Sequence, residues 1–142
     1  MSVLIFAETW EGKFKKSTYE AVSYGARVAS DMGIDAIAVT IGSLADEASN
    51  LGKYGAAKVL TVDGIDSFNN AVYANIIKQI AAQNDVNVVI VSGTNNGKMV
   101  APSLSIEMES ALITNVTSLP SSVSPITVKR SAFSSKGVAN YA

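Results

Sequence analysis

The sequence predicts an α/β fold, a doubly wound and mainly parallel sheet followed by a short strand-rich C-terminal portion. Three observations carry that expectation. Strand-like and helix-like segments alternate four times between Val3 and about Ser110. Val88-Val89-Ile90-Val91 is a continuous apolar run bounded by a Gly-containing turn, as expected of a central parallel strand covered by helices on both faces. Start and stop signals also fall between the periodic segments rather than inside them.

The first strand is Val3-Leu4-Ile5-Phe6-Ala7, and a polar loop leads from it to Ser17-Thr18-Tyr19-Glu20. Ser followed three residues later by Glu is a capping box, in which each side chain satisfies a backbone N–H at a helix start. That helix is expected to run to about Met32, where Gly33 ends it. Val22, Ala26 and Ala29 form its sheet-facing stripe, and Glu20, Arg27 and Asp31 lie elsewhere. Residues 36–41 read as the second strand, ended by Gly42, and a short helix near 43–53 contains Leu44, Ala48 and Leu51. Residues 58–62 are the third strand. Asp66 then caps a longer helix whose Phe68, Val72, Ile76 and Ile80 recur every four residues, supported by Ile77. Asn84-Asp85 breaks it before the fourth strand, 86–92. Four successive βα units imply a parallel sheet with right-handed crossovers.

After about Leu112 the texture changes. Leu112-Ile113 and Val116-Thr117 are short extended pieces, and Leu119-Pro120 through Ser124-Pro125 is rich in turn formers. Residues 126–130 alternate like a half-exposed strand, and Val138 to Tyr141 suggest another. The sequence stops at Ala142 without a polar tail, and is expected to be part of a longer protein. Its first residues lead almost directly into a strand, with no basic leader or cleavage pattern.

Composition narrows the chemistry. The 142 residues suit one domain with a core of its own. No apolar run is long enough to cross a bilayer. With 11 basic and 12 acidic residues interspersed, there is no basic stripe for nucleic acid. The local cluster Lys13-Phe14-Lys15-Lys16 reads as a solvated loop. The chain has no Cys and no His, which excludes disulfides, thiolate nucleophiles, iron–sulfur ligands, imidazole metal sites and a Ser-His-Asp triad. Any acid–base step would need Glu, Asp, Lys or Tyr.

The best candidate site is the turn after the fourth strand: Ser92, Gly93, Thr94, Asn95, Asn96, Gly97 and Lys98. Ligands and partners of open α/β sheets gather where such strands end. The turn resembles a P-loop, yet its glycines are one residue too close and Met99 replaces the magnesium-binding hydroxyl. Pro102 predicts that the regular helix starts near Val100 or is kinked. A tight structural or interface turn is preferred over an anion or adenylate site. No G-x-G-x-x-G follows the first strand, where Glu8-Thr9-Trp10-Glu11-Gly12 stands instead. Trp10 reads as half-buried packing ahead of a stacking platform. Glu107 and Glu109, two residues apart on a helix, diverge and read as solvated. Tyr19, Tyr24, Tyr54 and Tyr73 read as packing residues.

An ordered set of segments resembles the alpha subunit of electron transfer flavoproteins over nearly the whole chain. It comprises Val3 to Glu8 with Gly12-Lys13, Tyr54-Gly55-Ala56, Ser92-Gly93-Thr94 through Gly97-Lys98, Ala101-Pro102, Asn115-Val116-Thr117, and Lys129-Arg130 to Lys136-Gly137. The family often has Arg where Ser103 stands and Asp where Asn115 stands. Losing both charges fits a lost ion pair and leaves less positive charge for a phosphate. The resemblance implies an N-terminal α/β domain of the adenine nucleotide alpha hydrolase-like kind, spanning 1–142, with the FAD-binding C-terminal domain absent. It implies a scaffold and a surface for the beta subunit, not an enzyme. FAD would belong to the complete heterodimer, which takes electrons from flavin dehydrogenases, and none is expected on this segment. The location implied is cytoplasmic in a bacterium, or the mitochondrial matrix for a processed eukaryotic protein. The competing reading is a small AMP- or ATP-binding α/β module.

Overall fold

Every residue of the first strand, β1 (Ser2–Phe6), is buried, and its side chains alternate between two separate apolar clusters. Leu4 and Phe6 join Ile37, Val39, Val89 and Val91 on one side of the sheet. Val3 and Ile5 join Ala36, Ala38, Val88 and Ile90 on the other. A parallel strand buried on both faces requires a helical layer on each. The computed structural model describes residues 2–65, 67–92, 94–108, 111–113, 122–123, 126–127 and 137–139.

A two-strand hairpin, β2 (Thr9–Trp10) and β3 (Lys13–Phe14), follows β1 and leads into α1 (Lys16–Met32). Next come β4 (Asp35–Ile41), a 3-10 helix (Ala48–Tyr54), β5 (Lys58–Val62), α2 (Asn70–Gln83), β6 (Val86–Ile90) and α3 (Asn95–Glu107). Four short strands close the set: β7 (Ala111–Ile113), β8 (Ser122–Val123), β9 (Ile126–Thr127) and β10 (Gly137–Ala139). The main sheet has the order β5-β4-β1-β6-β10-β7. Its first four strands are parallel, as expected. β10 runs antiparallel to both β6 and β7, so the strand-rich C-terminal portion extends the same sheet. α1 and the 3-10 helix cover one face, and α2 and α3 cover the other.

Gly33 ends α1 as expected. It sits at φ 70°, the Gly33 N–H bonds the Ser30 carbonyl at 3.1 Å, and the Ile34 N–H bonds the Ala29 carbonyl at 2.9 Å. The start of α1 differs from the Ser17–Glu20 capping box. The helix begins at Lys16, and the buried Thr18 hydroxyl accepts the Lys15 N–H at 3.1 Å. The β2–β3 hairpin fixes where the chain enters α1, so Lys13 to Lys16 form a strand and a first helical turn rather than a loop. Glu20 stays on the surface, 4.0 Å from Lys16.

The start of α2 also differs. Asn69 caps it, its side chain accepting the Ala71 and Val72 N–H groups at 3.0 and 3.1 Å; Asp66 lies outside the described residues. Phe68 therefore precedes the helix, and the buried stripe becomes Tyr73, Ala74, Ile77 and Ala81. Val72 turns outward, while Ile76 and Ile80 pack at the cluster edge. The helix expected near 43–53 is confined to the 3-10 turns at 48–54, anchored by fully buried Leu51. α3 starts at Asn95 rather than Val100, with Pro102 inside it. Pro102 and Lys98 are both exposed, so the carbonyl freed by the missing N–H lies on the solvent side.

Candidate functional site

Strand order makes its reversal between β1 and β6. The chain steps outward from β1 to β4 to β5, then returns to place β6 on the other side of β1. The crevice beyond the C-terminal ends of those two strands is where open α/β sheets hold ligands. Here β1 leads into Ala7 and Glu8, and β6 leads into Val91, Ser92 and the candidate turn.

Glu8 is 5% exposed, and its groups are committed on both sides. Its backbone carbonyl accepts the Thr18 hydroxyl, and its carboxylate Oε2 accepts the Thr94 hydroxyl at 2.5 Å. Thr94 Oγ1 in turn accepts the Gly97 N–H at 3.1 Å, capping α3. Ser92 donates its hydroxyl to the Ser17 carbonyl at 3.2 Å. A Cβ on Gly97 would fall 1.9 Å from the Ser92 carbonyl oxygen, so only glycine lets α3 approach the end of β6 this closely. The turn ties β1, α1 and α3 into one polar knot.

The predicted site residues consequently separate. Ser92, Thr94 and Gly97 hold structure together, Asn95 and Lys98 face solvent, and Asn96 lines a cavity. Gly93 lies outside the described residues. Glu107 lies on the surface, 3.5 Å from Lys78, and Glu109 lies outside the described residues. No cluster of three or more metal-ligating side chains occurs among the described residues. Likewise, no described helix is long and apolar enough to cross a membrane.

The cavity measures about 510 Å³ and opens above β1 and β4. Phe6, Ile41, Ile65, Phe68 and Tyr73 supply its apolar and aromatic wall, and Glu8 and Asn96 supply polar groups. Tyr73 meets Phe68 edge-on at 4.9 Å and Phe6 at 5.8 Å. Burial raises the proton affinity of the Tyr73 phenol above its ordinary value of 10.0, and the negative charge of Glu8 adds to it. The β2–β3 hairpin forms the opposite rim. Its tight turn places Glu11 at φ 50° and Gly12 at φ 79°. The Ala45 and Asp46 N–H groups bond the Gly12 carbonyl at 2.8 and 3.1 Å, and the Phe14 N–H bonds Asp46 Oδ2 at 2.8 Å. Trp10 on this hairpin is 63% exposed, against the half-buried expectation, and Lys15 Nζ lies 5.3 Å from its ring.

Glu8 and Tyr73 are the site residues that sequence reasoning missed. The available signal was a carboxylate placed directly after the apolar run Val3 to Ala7. The same geometry tests the residues present for a dinucleotide. The N-terminus of α3, which would receive a pyrophosphate, already carries the Glu8 carboxylate through Thr94. These residues do not fit FAD.

Fold and topology together define an open-sheet α/β protein whose strand order reverses between β1 and β6. The chain belongs to the electron transfer flavoprotein domain family, whose model matches residues 3–142. It is similar to Protein FixB of Clostridium saccharobutylicum, 28% identical over 119 residues, which covers 82% of this chain and 36% of that protein. It is 26% identical over 120 residues to the acryloyl-CoA reductase electron transfer subunit beta of Anaerotignum propionicum, covering 82% and 33%. The electron transfer flavoprotein subunit alpha of Clostridium acetobutylicum is 27% identical over 120 residues, covering 82% and 36%. The chain spans about a third of the length of these relatives. A solved universal stress protein in complex with cAMP aligns at 11% identity and a TM-score of 0.46, over 74% of this chain and 89% of that one.

Proposed function

We propose that residues 1–142 act as the N-terminal scaffold and subunit-interface domain of an electron transfer flavoprotein alpha-type subunit. In the whole protein, electrons from flavin dehydrogenases pass through an FAD held outside this segment. No side chain of this domain takes part in that transfer. The observation that carries this reading is the Glu8–Thr94 hydrogen bond of 2.5 Å. A carboxylate beside the N-terminus of α3 disfavours a cofactor phosphate there, which supports a structural task for this turn. Ser92, Thr94 and Gly97, held by their hydrogen bonds and close packing, serve as the base of the interface. Met99 and Ile106, exposed on α3, supply the apolar contact for a beta-type subunit.

Co-expression with a beta-type subunit tests this. The two chains are expected to co-purify, and the 142-residue chain alone is expected to be colourless. A stoichiometric yellow flavin spectrum from this chain alone overturns the reading.

The cavity volume favours one second reading, an adenylate-binding module, because about 510 Å³ lies within the size range of ligand pockets. Calorimetry with AMP and ATP decides it, and absence of heat up to millimolar ligand removes it.

A further inference from the structure

We propose that the cavity above β1 and β4 is a binding site for a small aromatic or heteroaromatic amine, with Glu8 as the group that receives its charged nitrogen. This inference is independent of the subunit role.

The first argument is charge. Among the described residues that line the cavity, both charged side chains, Glu8 and Glu11, are carboxylates. A cation entering this space is attracted from two sides, and a phosphate is repelled. The best anion position nearby, the first turn of α3, is occupied by the Glu8–Thr94 pair.

The second argument is hydrogen-bonding capacity. Thr94 engages only Oε2 of Glu8, and a carboxylate offers about four acceptor positions. Glu8 therefore keeps its structural bond and still accepts an N–H from a ligand. Tyr73 lines the same cavity as Glu8, and burial first, with the Glu8 charge adding to it, raises the proton affinity of its phenol.

The third argument is the wall. Phe6, Phe68 and Tyr73 present edges and faces set at 87° and 74° to one another. Such a corner suits a flat ring and adds cation–π attraction for an amine beside it. The pocket lies beyond the C-terminal ends of β1 and β4, with Asn96 of α3 at its border, and is of ordinary ligand size, so location and volume agree with the chemistry.

The test uses two probes of one shape and opposite charge, 2-phenylethylamine and phenylacetate. Trp10 is the only tryptophan and stands on the cavity rim, so its fluorescence reports occupancy. Amide shifts at residues 8 and 73 locate the ligand. The amine is expected to bind about tenfold more tightly than the acid, and the gap is expected to shrink as salt rises. Glu8→Gln is expected to weaken the amine about fivefold or more and to leave phenylacetate unchanged or improved. Should that variant fail to fold, Glu11→Gln at the exposed rim keeps the test open, with an expected loss of about twofold. Equal affinities, tighter binding of phenylacetate or AMP, or no amine binding at tens of millimolar each overturn the proposal. None of these outcomes alters flavin content or co-purification with a beta-type subunit.

Discussion

The Thr94 hydroxyl donates to the Glu8 carboxylate at 2.5 Å across 86 residues of sequence, while its oxygen accepts the Gly97 N–H at 3.1 Å. One atom thus caps α3 and holds that helix to the end of β1. The arrangement is electrostatically consistent, because a carboxylate beside a helix N-terminus meets the positive end of the helix dipole.

Thr94→Val removes the cap and the partner of a buried carboxylate in one step. Stability is expected to fall by about 2–3 kcal/mol, measured by urea unfolding, whereas Thr94→Ser keeps the hydroxyl and is expected to retain most of the parent stability. Matching midpoints for Thr94→Val and the parent protein would show that this hydroxyl carries no weight.

Gly97→Ala separates helix propensity from packing. In an open helix the change would stabilise by about 1 kcal/mol. Here the new methyl meets the Ser92 carbonyl oxygen at 1.9 Å, a backbone atom with no rotamer to escape into. A loss of about 3 kcal/mol is expected instead. A stabilised variant would mean that α3 and the end of β6 are not in contact.

Tyr73 supplies a pH dependence. Its folded pKa lies above 10.0 through burial and the charge of Glu8. The unfolded chain therefore releases this proton first. The contribution of Tyr73 to stability is complete below pH 10.0 and declines as pH rises toward the folded value. Tyr73→Phe keeps the ring contacts and is expected to flatten that alkaline decline. An unchanged slope between the two proteins would assign it to other groups.

Leu104 and Ile106 stand two residues apart on α3, one fully buried and the other 79% exposed. Leu104→Ala is expected to cost about 3–5 kcal/mol, whereas Ile106→Asp should change stability by no more than about 0.5 kcal/mol. If α3 presents the subunit surface, Ile106→Asp should nonetheless reduce capture of a beta-type partner. Undiminished capture would move the contact to another face.

Strands were the most legible part of the sequence, because burial on both faces leaves continuous apolar runs such as Val3 to Ala7 and Val88 to Val91. Helix starts were less so. Ser17 with Glu20 matches a local capping rule, yet the hairpin ahead of α1 shifts the start to Lys16 and gives the capping task to Thr18. At α2, Asn69 took the capping position, and that choice turned Val72 outward. Pro102 predicts a helix that starts near Val100 or is kinked; α3 starts at Asn95 instead, because a proline on the solvent side removes a bond without removing the helix. Of the site, the apolar run ending at Val91 points to the turn 92–98, of which Asn96 lines the cavity. The Glu8–Thr94 bond joins residues too far apart in sequence for any local pattern to reveal, and the cavity needs three separate loops to exist.

β10 lies inside the sheet, between β6 and β7, although it is the last of the described strands in sequence order. During translation the backbone donors and acceptors on that flank of β6 wait unpaired while some fifty further residues emerge. The nascent protein carries an adhesive border until Gly137–Ala139 leaves the ribosome and slots home.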